Sequence, residues 1–211
     1  TASTLGVICA IGLIGLCGCS SVDRTSAGEV SSAPREAASP ATPATPATPA
    51  GDRALAAIGQ LVVAPEGSPD GYDRDLFGTW IDADRDGCDT RCEVLKRSRR
   101  LDLPGLPSGG WLSAYDGYST PDPSELDIDH LVPLAEVWQS GGAAWDGARR
   151  RAFANDLSSG ELLPVTAASN RSKGERDPAE WQPSNRDAWC TYVTDWAEVK
   201  VACGASPRIP Q

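Results

Sequence analysis

The chain has 211 residues, which is enough for one ordinary domain with a hydrophobic core and too few for a multidomain synthase. Hydrophobic residues make up 40% of it and seven residues are tryptophan, which argues against a wholly disordered protein. The net charge of −10 argues against a protein that coats nucleic acid by neutralising phosphates, but not against an enzyme that cuts nucleic acid with a metal ion. His130 is the single histidine, so mechanisms that need two histidines are excluded.

The amino-terminal residues have the pattern of an export signal. Residues 5–16 form an apolar run that is too short for a comfortable transmembrane helix and suits the core of a signal peptide. The run ends in LCGC, which resembles a bacterial lipobox with Cys19 as the lipidated residue. We predict a signal peptide with a lipobox over residues 1–19, with a plain secretory signal as the alternative. Both predict export, either to the outer face of the cell membrane through a lipid anchor or as a secreted protein.

Residues 20–50 consist mostly of Ser, Ala, Thr and Pro and end in PATPATPATPA. Such a segment has little apolar surface to bury, and a proline at every third position favours an extended chain. We predict a disordered tether over residues 20–50, which places the folded domain at residues 51–211.

The folded part contains four cysteines, namely Cys88, Cys92, Cys190 and Cys203. An even count in an exported chain predicts two disulfides, and the spacing leaves all three connectivities open. Zinc binding is the alternative, because Cys88 and Cys92 have a spacing that zinc ligands can adopt.

An acidic segment at residues 82–93 fits the calcium-loop pattern D-x-D-x-D-G-x5-E over its whole length. Carboxylates at alternate positions of a tight loop point at one centre, and Gly87 permits the sharp turn. The predicted Ca²⁺ ligands are four carboxylates and one backbone carbonyl, those of Asp82, Asp84, Asp86, Glu93 and Cys88. Asp89 departs from the pattern, because that position is normally apolar. The alternative is an acidic turn that caps a helix at Glu93.

Strands and helices alternate in the second half of the chain. Residues 125–131 alternate apolar and polar side chains, which predicts a half-buried strand that ends before Pro133. Asp146 is in position to cap a helix. The short apolar run at residues 162–165 predicts a second strand. Asp177 and Pro178 have the pattern of a further helix start.

The last predicted helix covers about residues 185–202 and carries Trp189, Val193 and Trp196 at burial spacing. Cys190 and Cys203 are expected to pin this helix to the calcium-loop region or to each other. We interpret the tryptophans of this half of the chain as core residues rather than base-stacking platforms: Trp138, Trp145, Trp181, Trp189 and Trp196.

Three segments, DIDHLVPLAEVW, FANDL and SNRSKGERDPAEW, together resemble the HNH endonuclease superfamily. More narrowly, they resemble secreted actinobacterial proteins that share the HNH domain at the C-terminal end of GmrSD-type modification-dependent restriction enzymes. The resemblance covers about residues 75–200, with its core at 125–181. It implies an α+β fold with a ββα-metal (His-Me finger) core and added helices. The disulfides would cross-link this fold.

The resemblance also implies roles for individual residues. His130 would be the general base that deprotonates the attacking water. Asp129 and Asn170 would be oxygen ligands of a catalytic Mg²⁺ or Mn²⁺ ion. Lys173 or Arg171 would contact phosphate.

The middle Asn of the family pattern is replaced, since Glu161 stands just before the second strand. Asn155 is the nearest substitute, either to orient the histidine loop or only to end the helix. The basic run at residues 149–151 could meet a DNA backbone or form a solvated helix face, and we favour the solvated face.

The sequence therefore predicts an exported, metal-dependent HNH endonuclease that hydrolyses phosphodiester bonds of DNA or RNA. The alternative is a catalytically inactive, calcium-stabilised binding module at the cell surface, built on an HNH scaffold. A membrane would be contacted only through the lipid anchor, and no protein partner or oligomer is implied.

Overall fold

A computed structural model describes residues 49–63, 65, 67–203 and 208–209. The helices in these ranges are α1 (Pro49–Ile58), α2 (Thr90–Ser98), α3 (Leu134–Gln139), α4 (Gly147–Ala154), α5 (Ala167–Lys173) and α6 (Trp189–Ala202). The strands are β1 (Val62–Val63), β2 (Trp111–Leu112), β3 (Ser119–Thr120), β4 (Leu126–His130), β5 (Leu162–Thr166) and β6 (Arg208–Ile209). None of the described helices is both long and apolar enough to cross a membrane. The predicted signal peptide with Cys19, and all but the last two residues of the predicted tether, lie outside the described residues.

The longest strands, β4 and β5, form an antiparallel pair in which Leu126 lies opposite Thr166 and His130 opposite Leu162. The alternation predicted for β4 buries Leu126 and Ile128, which are 1% and 7% exposed. Ile128 packs with Leu162 and with Val94 of α2. Two further pairs flank this hairpin, β2 with β3 antiparallel and β1 with β6 parallel.

The predicted order of strand, helical insertion, strand and helix is confirmed by β4, α4, β5 and α5, and so is the α+β class. Asp146 caps α4 as predicted, because its carboxylate accepts the Arg149 backbone N–H at 2.8 Å. Thr166 caps α5 in the same way, through the Ser169 N–H at 3.2 Å. The helices α4 and α5 therefore both start where a capping side chain satisfies one of their first N–H groups.

The helix predicted to start at Asp177 is wrong. Its carboxylate does accept the Ala179 N–H at 2.7 Å, and its carbonyl accepts the Trp181 N–H at 2.9 Å. The chain stops after this single turn, because Pro183 follows closely and disfavours helical backbone at the residue before it.

The main core forms around α6, the predicted C-terminal helix. Tyr192, Trp196 and Val199 of α6 are buried against residues from the rest of the domain, among them Phe77, Leu131, Val132, Trp138, Phe153 and Val165. Trp145 and Trp181 pack on the edge of this cluster. The interpretation as core residues is confirmed for Trp138 and Trp196, which are buried. Trp145, Trp181 and Trp189 are half-buried, and the first two pack against the core cluster.

Cys88 and Cys92 form a disulfide at the start of α2, with their Cα atoms 5.2 Å apart. The bond consumes both sulfurs that a zinc ion would have used. The predicted second staple is wrong. Cys190 lies in the first turn of α6 and Cys203 at its C-terminal end, so their Cα atoms are about 20 Å apart, beyond the reach of a disulfide. Neither reaches the loop cysteines, which are bonded to each other.

A buried ion pair joins α3 to α6. Lys200 and Glu136 are 2% and 3% exposed, and the Lys200 Nζ lies 2.6 Å from Glu136 Oε1. The same carboxylate oxygen accepts the Ser140 hydroxyl at 2.9 Å. Burial raises the pKa of Glu136, and the Lys200 ammonium opposes that rise. Glu136 therefore holds two helices together and does not face a site.

Replacing Lys200 by Met should lower the free energy of unfolding by about 3 to 5 kcal/mol, because it leaves the buried Glu136 carboxylate without its ammonium partner. Urea denaturation measures this change. The matched control is the double variant Lys200→Met/Glu136→Leu, which removes both charges and should recover most of the loss. A double variant as unstable as Lys200→Met alone would contradict this account.

Candidate active site

The alternation of β4 sends its last two polar side chains to opposite faces of the hairpin. Asp129 turns toward α5, where it meets Lys173, and His130 turns toward the end of α4, where it meets Ala154. Asp127, two residues earlier, lies on the same face as Asp129. The predicted base and the predicted metal ligand therefore lie on different sides of one strand.

His130 is 8% exposed, and its Nε2 lies 3.0 Å from the Ala154 carbonyl oxygen. A carbonyl oxygen can only accept, so Nε2 carries the proton and donates it. In the neutral ring Nδ1 is then the nitrogen with the basic lone pair. Burial lowers the pKa of His130 to about 4, which keeps the imidazole neutral at pH 7.

Trp80 covers the imidazole. The two rings are stacked, with centroids 5.3 Å apart and an interplanar angle of 14°. Asn155, the C-terminal cap of α4, holds the segment that carries Trp80: its Nδ2 donates to the Thr79 carbonyl at 3.2 Å and its Oδ1 accepts the Ile81 N–H at 3.1 Å. Asn155 thus positions the cover over the histidine rather than the histidine loop itself.

A cavity of about 190 Å³ opens beside these groups. Its walls include Arg74, Trp80, His130 and Asn155. The segment from Arg74 to Trp80 was not singled out in the sequence, because its short 3-10 helix (Arg74–Phe77) and extended chain have no periodic pattern.

Glu161, rather than Asn155, holds the turn that follows His130. It is fully buried, its Oε2 accepts the Val132 N–H at 3.0 Å, and its backbone carbonyl accepts the Leu131 N–H at 2.7 Å. These bonds clamp the turn that follows His130. Burial raises the pKa of Glu161 well above its usual range. Its side chain presents an oxygen acceptor, as the family's Asn would.

Lys173 is buried within the hairpin rather than presented to a substrate. It is fully buried, and its Nζ lies 3.0 Å from the Asp129 carboxylate and 2.8 Å from the His130 carbonyl oxygen. Tyr115 donates its hydroxyl to the same carboxylate at 2.7 Å. The phosphate contact expected of Lys173 does not fit this arrangement. Arg171, the alternative, is exposed on α5.

Asn170 is half-buried on α5, and its Nδ2 donates to Asp127 Oδ2 at 3.2 Å. This hydrogen bond joins Asn170 to Asp127, whereas Asp129 is its expected partner in binding a metal. The amide oxygen of Asn170 and the carboxylates of Asp127 and Asp129 are the oxygen donors on this face of β4. Such donors suit a hard divalent ion such as Mg²⁺.

The acidic loop is closed and its carboxylates converge. Ligand oxygens of Asp82, Asp84 and Asp86 lie within 4.8 Å of one another, and Gly87 adopts a φ of 90° as the turn requires. Asp89 caps α2, accepting the Cys92 N–H at 2.9 Å, which explains its departure from the calcium-loop pattern.

A lysine reaches the same loop. Lys96 Nζ lies 2.9 Å from Glu93 Oε1 and 3.5 Å from Asp86 Oδ2, so its ammonium already neutralises part of the cluster. Cys88 offers only its backbone carbonyl, because its sulfur is in the disulfide.

The basic run at the start of α4 makes contacts within the protein. Arg149 donates to the Cys203 carbonyl at 2.8 Å and lies over the Trp145 ring. Arg150 donates to the Leu76 carbonyl at 3.3 Å. Two of the three arginines therefore hold neighbouring segments onto α4.

Replacing Trp80 by Ala should raise the pKa of His130 from about 4 toward its ordinary 6.5, because it removes the ring that shields the imidazole from water. An NMR titration measures this directly, since the chain has one histidine. Trp189→Ala, on α6, is the control and should leave the titration unchanged. An unaltered titration in Trp80→Ala would show that the stacking does not desolvate the ring.

Residues 110–202 match the family described as GmrSD restriction endonucleases, C-terminal domain. A protein of Arthroderma benhamiae, described as an uncharacterized secreted protein, is 42% identical to this chain over 151 residues, which cover 70% of this chain and 74% of the relative. No solved structure matches the chain. The residues that carried the resemblance, from Asp127 to Trp181, lie inside the matched region. The chain therefore belongs to the family of GmrSD restriction endonuclease C-terminal domains.

Proposed function

We propose that this protein is an exported, metal-dependent endonuclease that hydrolyses phosphodiester bonds of DNA or RNA, with His130 as its general base. The observation that carries the proposal is the state of the imidazole: Nε2–H is committed to the Ala154 carbonyl, and the ring is neutral beside a cavity. Membership of a nuclease-related family supports phosphodiesters as the substrate.

In the proposed reaction, Nδ1 of His130 takes a proton from a water molecule in the cavity. The water oxygen forms a bond to phosphorus, and the bond from phosphorus to the leaving oxygen breaks. A pKa of about 4 makes the imidazole a weak base in the resting enzyme. The negative charge of a phosphodiester beside the ring would raise that pKa, so the base becomes stronger when substrate is present.

The oxygen donors of Asp127, Asp129 and Asn170 are the proposed ligands of a catalytic Mg²⁺ or Mn²⁺ ion. When bound, such an ion would act as a Lewis acid toward a phosphate oxygen. Its ligands and the His130 imidazole lie on opposite faces of β4, so a phosphate that meets both would have to pass the end of the strand. Lys173 competes for the Asp129 carboxylate, since its ammonium lies 3.0 Å away. The Asn170 amide and Asp127 carboxylate are half-buried and accessible without displacing that ammonium.

The acidic loop is proposed to bind Ca²⁺ in a structural role. Its base is closed by the Thr90 N–H, which donates to the Ile81 carbonyl at 2.9 Å. Thr90 also donates its hydroxyl to Asn155 Oδ1 at 2.6 Å, so the loop and the cover over His130 share one anchoring side chain. An ion in the loop would therefore stabilise the wall of the cavity.

Export of this chain is supported by the secreted description of its relative and by the predicted signal over residues 1–19. Anchoring through Cys19 is a prediction from the lipobox. The net charge of −10 implies weak, non-processive binding to nucleic acid, because few cations oppose the repulsion between chain and backbone.

The first test is nicking of a supercoiled plasmid by the oxidised full chain with Mg²⁺ or Mn²⁺, in the presence of Ca²⁺. His130→Ala should lose at least about 100-fold in rate, the lower range for a general base. The acid limb of kcat/KM should lie near pH 4 rather than 6.5, and Trp80→Ala should move it upward. Metal-dependent nicking that persists unchanged in His130→Ala would refute His130 as the base.

The two proposed ions are distinguished by calorimetric titration. Asn170→Ala should weaken Mn²⁺ binding by about tenfold or more and leave Ca²⁺ binding intact, because it removes a ligand on the β4 face only. Asp84→Asn should do the reverse, since it removes a carboxylate of the loop. Each variant is the control for the other, and equal effects of both variants on both ions would contradict two separate sites.

A further inference from the structure

The arrangement of Lys173 leaves Arg171 as the remaining expected phosphate contact, and Arg171 lies on α5, away from the cavity beside His130. Lys173 is fully buried, and its ammonium is held by Asp129 and by the His130 carbonyl. A phosphodiester in the cavity beside His130 carries a negative charge that neither residue faces. A cation that faces this cavity is therefore needed from another part of the chain.

Arg74 lies in the wall of that cavity, together with Trp80 and His130. It is exposed, in contrast to Lys173, so its guanidinium is available to a ligand from solvent. Asp75 also lines this cavity, so the cavity wall carries one positive and one negative side chain at this point.

The segment that carries Arg74 is anchored at several points. Phe77 is fully buried in the main core, and Asp73 caps the 3-10 helix by accepting the Asp75 N–H at 2.9 Å. Arg150 of α4 donates to the Leu76 carbonyl at 3.3 Å. The backbone of Arg74 is therefore held against α4, whose last carbonyl accepts the hydrogen bond from His130. One helix thus positions both the Arg74 cation and the His130 base.

We propose that Arg74 is the residue that binds the phosphate of the substrate in the His130 cavity. The assignment rests on the proposed nuclease function and extends it to a segment outside residues 110–202, the region matched to the family. A guanidinium binds a phosphate through two parallel N–H donors, which orients the phosphorus as well as neutralising it. Arg74 would thus set the position of the phosphorus relative to Nδ1 of His130.

The test is binding of a fluorescein-labelled 20-base-pair DNA duplex to the full chain with Ca²⁺ present and with Mg²⁺ and Mn²⁺ omitted, over a series of salt concentrations. The proposed loop ion is then kept and the proposed catalytic ion is not supplied. Arg74→Ala should weaken binding about 10- to 100-fold, the range for a hydrogen bond to a charged group. The slope of log affinity against log salt should fall by about 0.9, as for the loss of one phosphate contact. Arg74→Lys should restore the slope but only part of the affinity, because it keeps the charge without the paired donors.

Two matched variants separate this assignment from its rivals. Arg171→Ala removes the alternative phosphate contact. Arg53→Ala removes an exposed arginine that forms an ion pair with Glu198 of α6 and is distant from His130 in the sequence. Both should bind with the wild-type slope. Wild-type affinity and slope in Arg74→Ala, or the loss appearing in Arg171→Ala instead, would overturn the assignment.

The two proposals fail in different ways. If the wild type nicks plasmid through His130 while Arg74→Ala binds DNA normally, the nuclease function stands and the role of Arg74 is wrong. If the wild type neither binds the duplex nor cleaves plasmid, both are wrong. Thermal unfolding of Arg74→Ala should match the wild type, since an exposed side chain contributes little to stability.

Discussion

One hydrogen bond, from Nε2 of His130 to the last carbonyl of α4, is the constraint on which the candidate site depends. The carbonyl of Ala154 has no partner within its own helix, as expected in the last turn, and the histidine satisfies it. In return the carbonyl selects the tautomer of the imidazole, because it can only accept. A helix end thus determines which nitrogen of the single histidine is basic.

The same helix end organises the cavity beside His130. Asn155, the next residue, uses its amide to hold the backbone on either side of Trp80 and the hydroxyl of Thr90. Arg150, one turn earlier, holds the 3-10 helix that precedes Trp80. The base, its aromatic cover and the cavity wall are therefore positioned by consecutive turns of α4, although they come from segments far apart in the sequence.

The opposite face of β4 is organised by buried charge. Asp129 and Lys173 are almost completely buried and form an ion pair, and burial raises the pKa of Glu161 well above its usual range. Breaking such a pair would be costly, because one uncompensated charge would remain in a low-dielectric interior. This cluster holds α5 and the turn after His130 against the strand, and its contacts occupy the Lys173 ammonium.

Hydrophobic alternation and capping residues are local signals, so β4, α4, β5 and α6 could be predicted without tertiary information. The α+β class and the grouping of His130, Asp129, Asn155, Asn170 and Lys173 in one region were implied by the family resemblance. Neither source could show which of these side chains meet, since strand alternation places neighbouring residues on opposite faces and packing decides what each face contacts. The helix expected at Asp177 ends after one turn because Pro183 follows closely. The disulfide expected between Cys190 and Cys203 fails because α6 holds the two cysteines a helix length apart. Burial of Lys173, the clamp by Glu161 and the approach of residues 74–80 to His130 arise from contacts between distant segments, which only the tertiary structure decides.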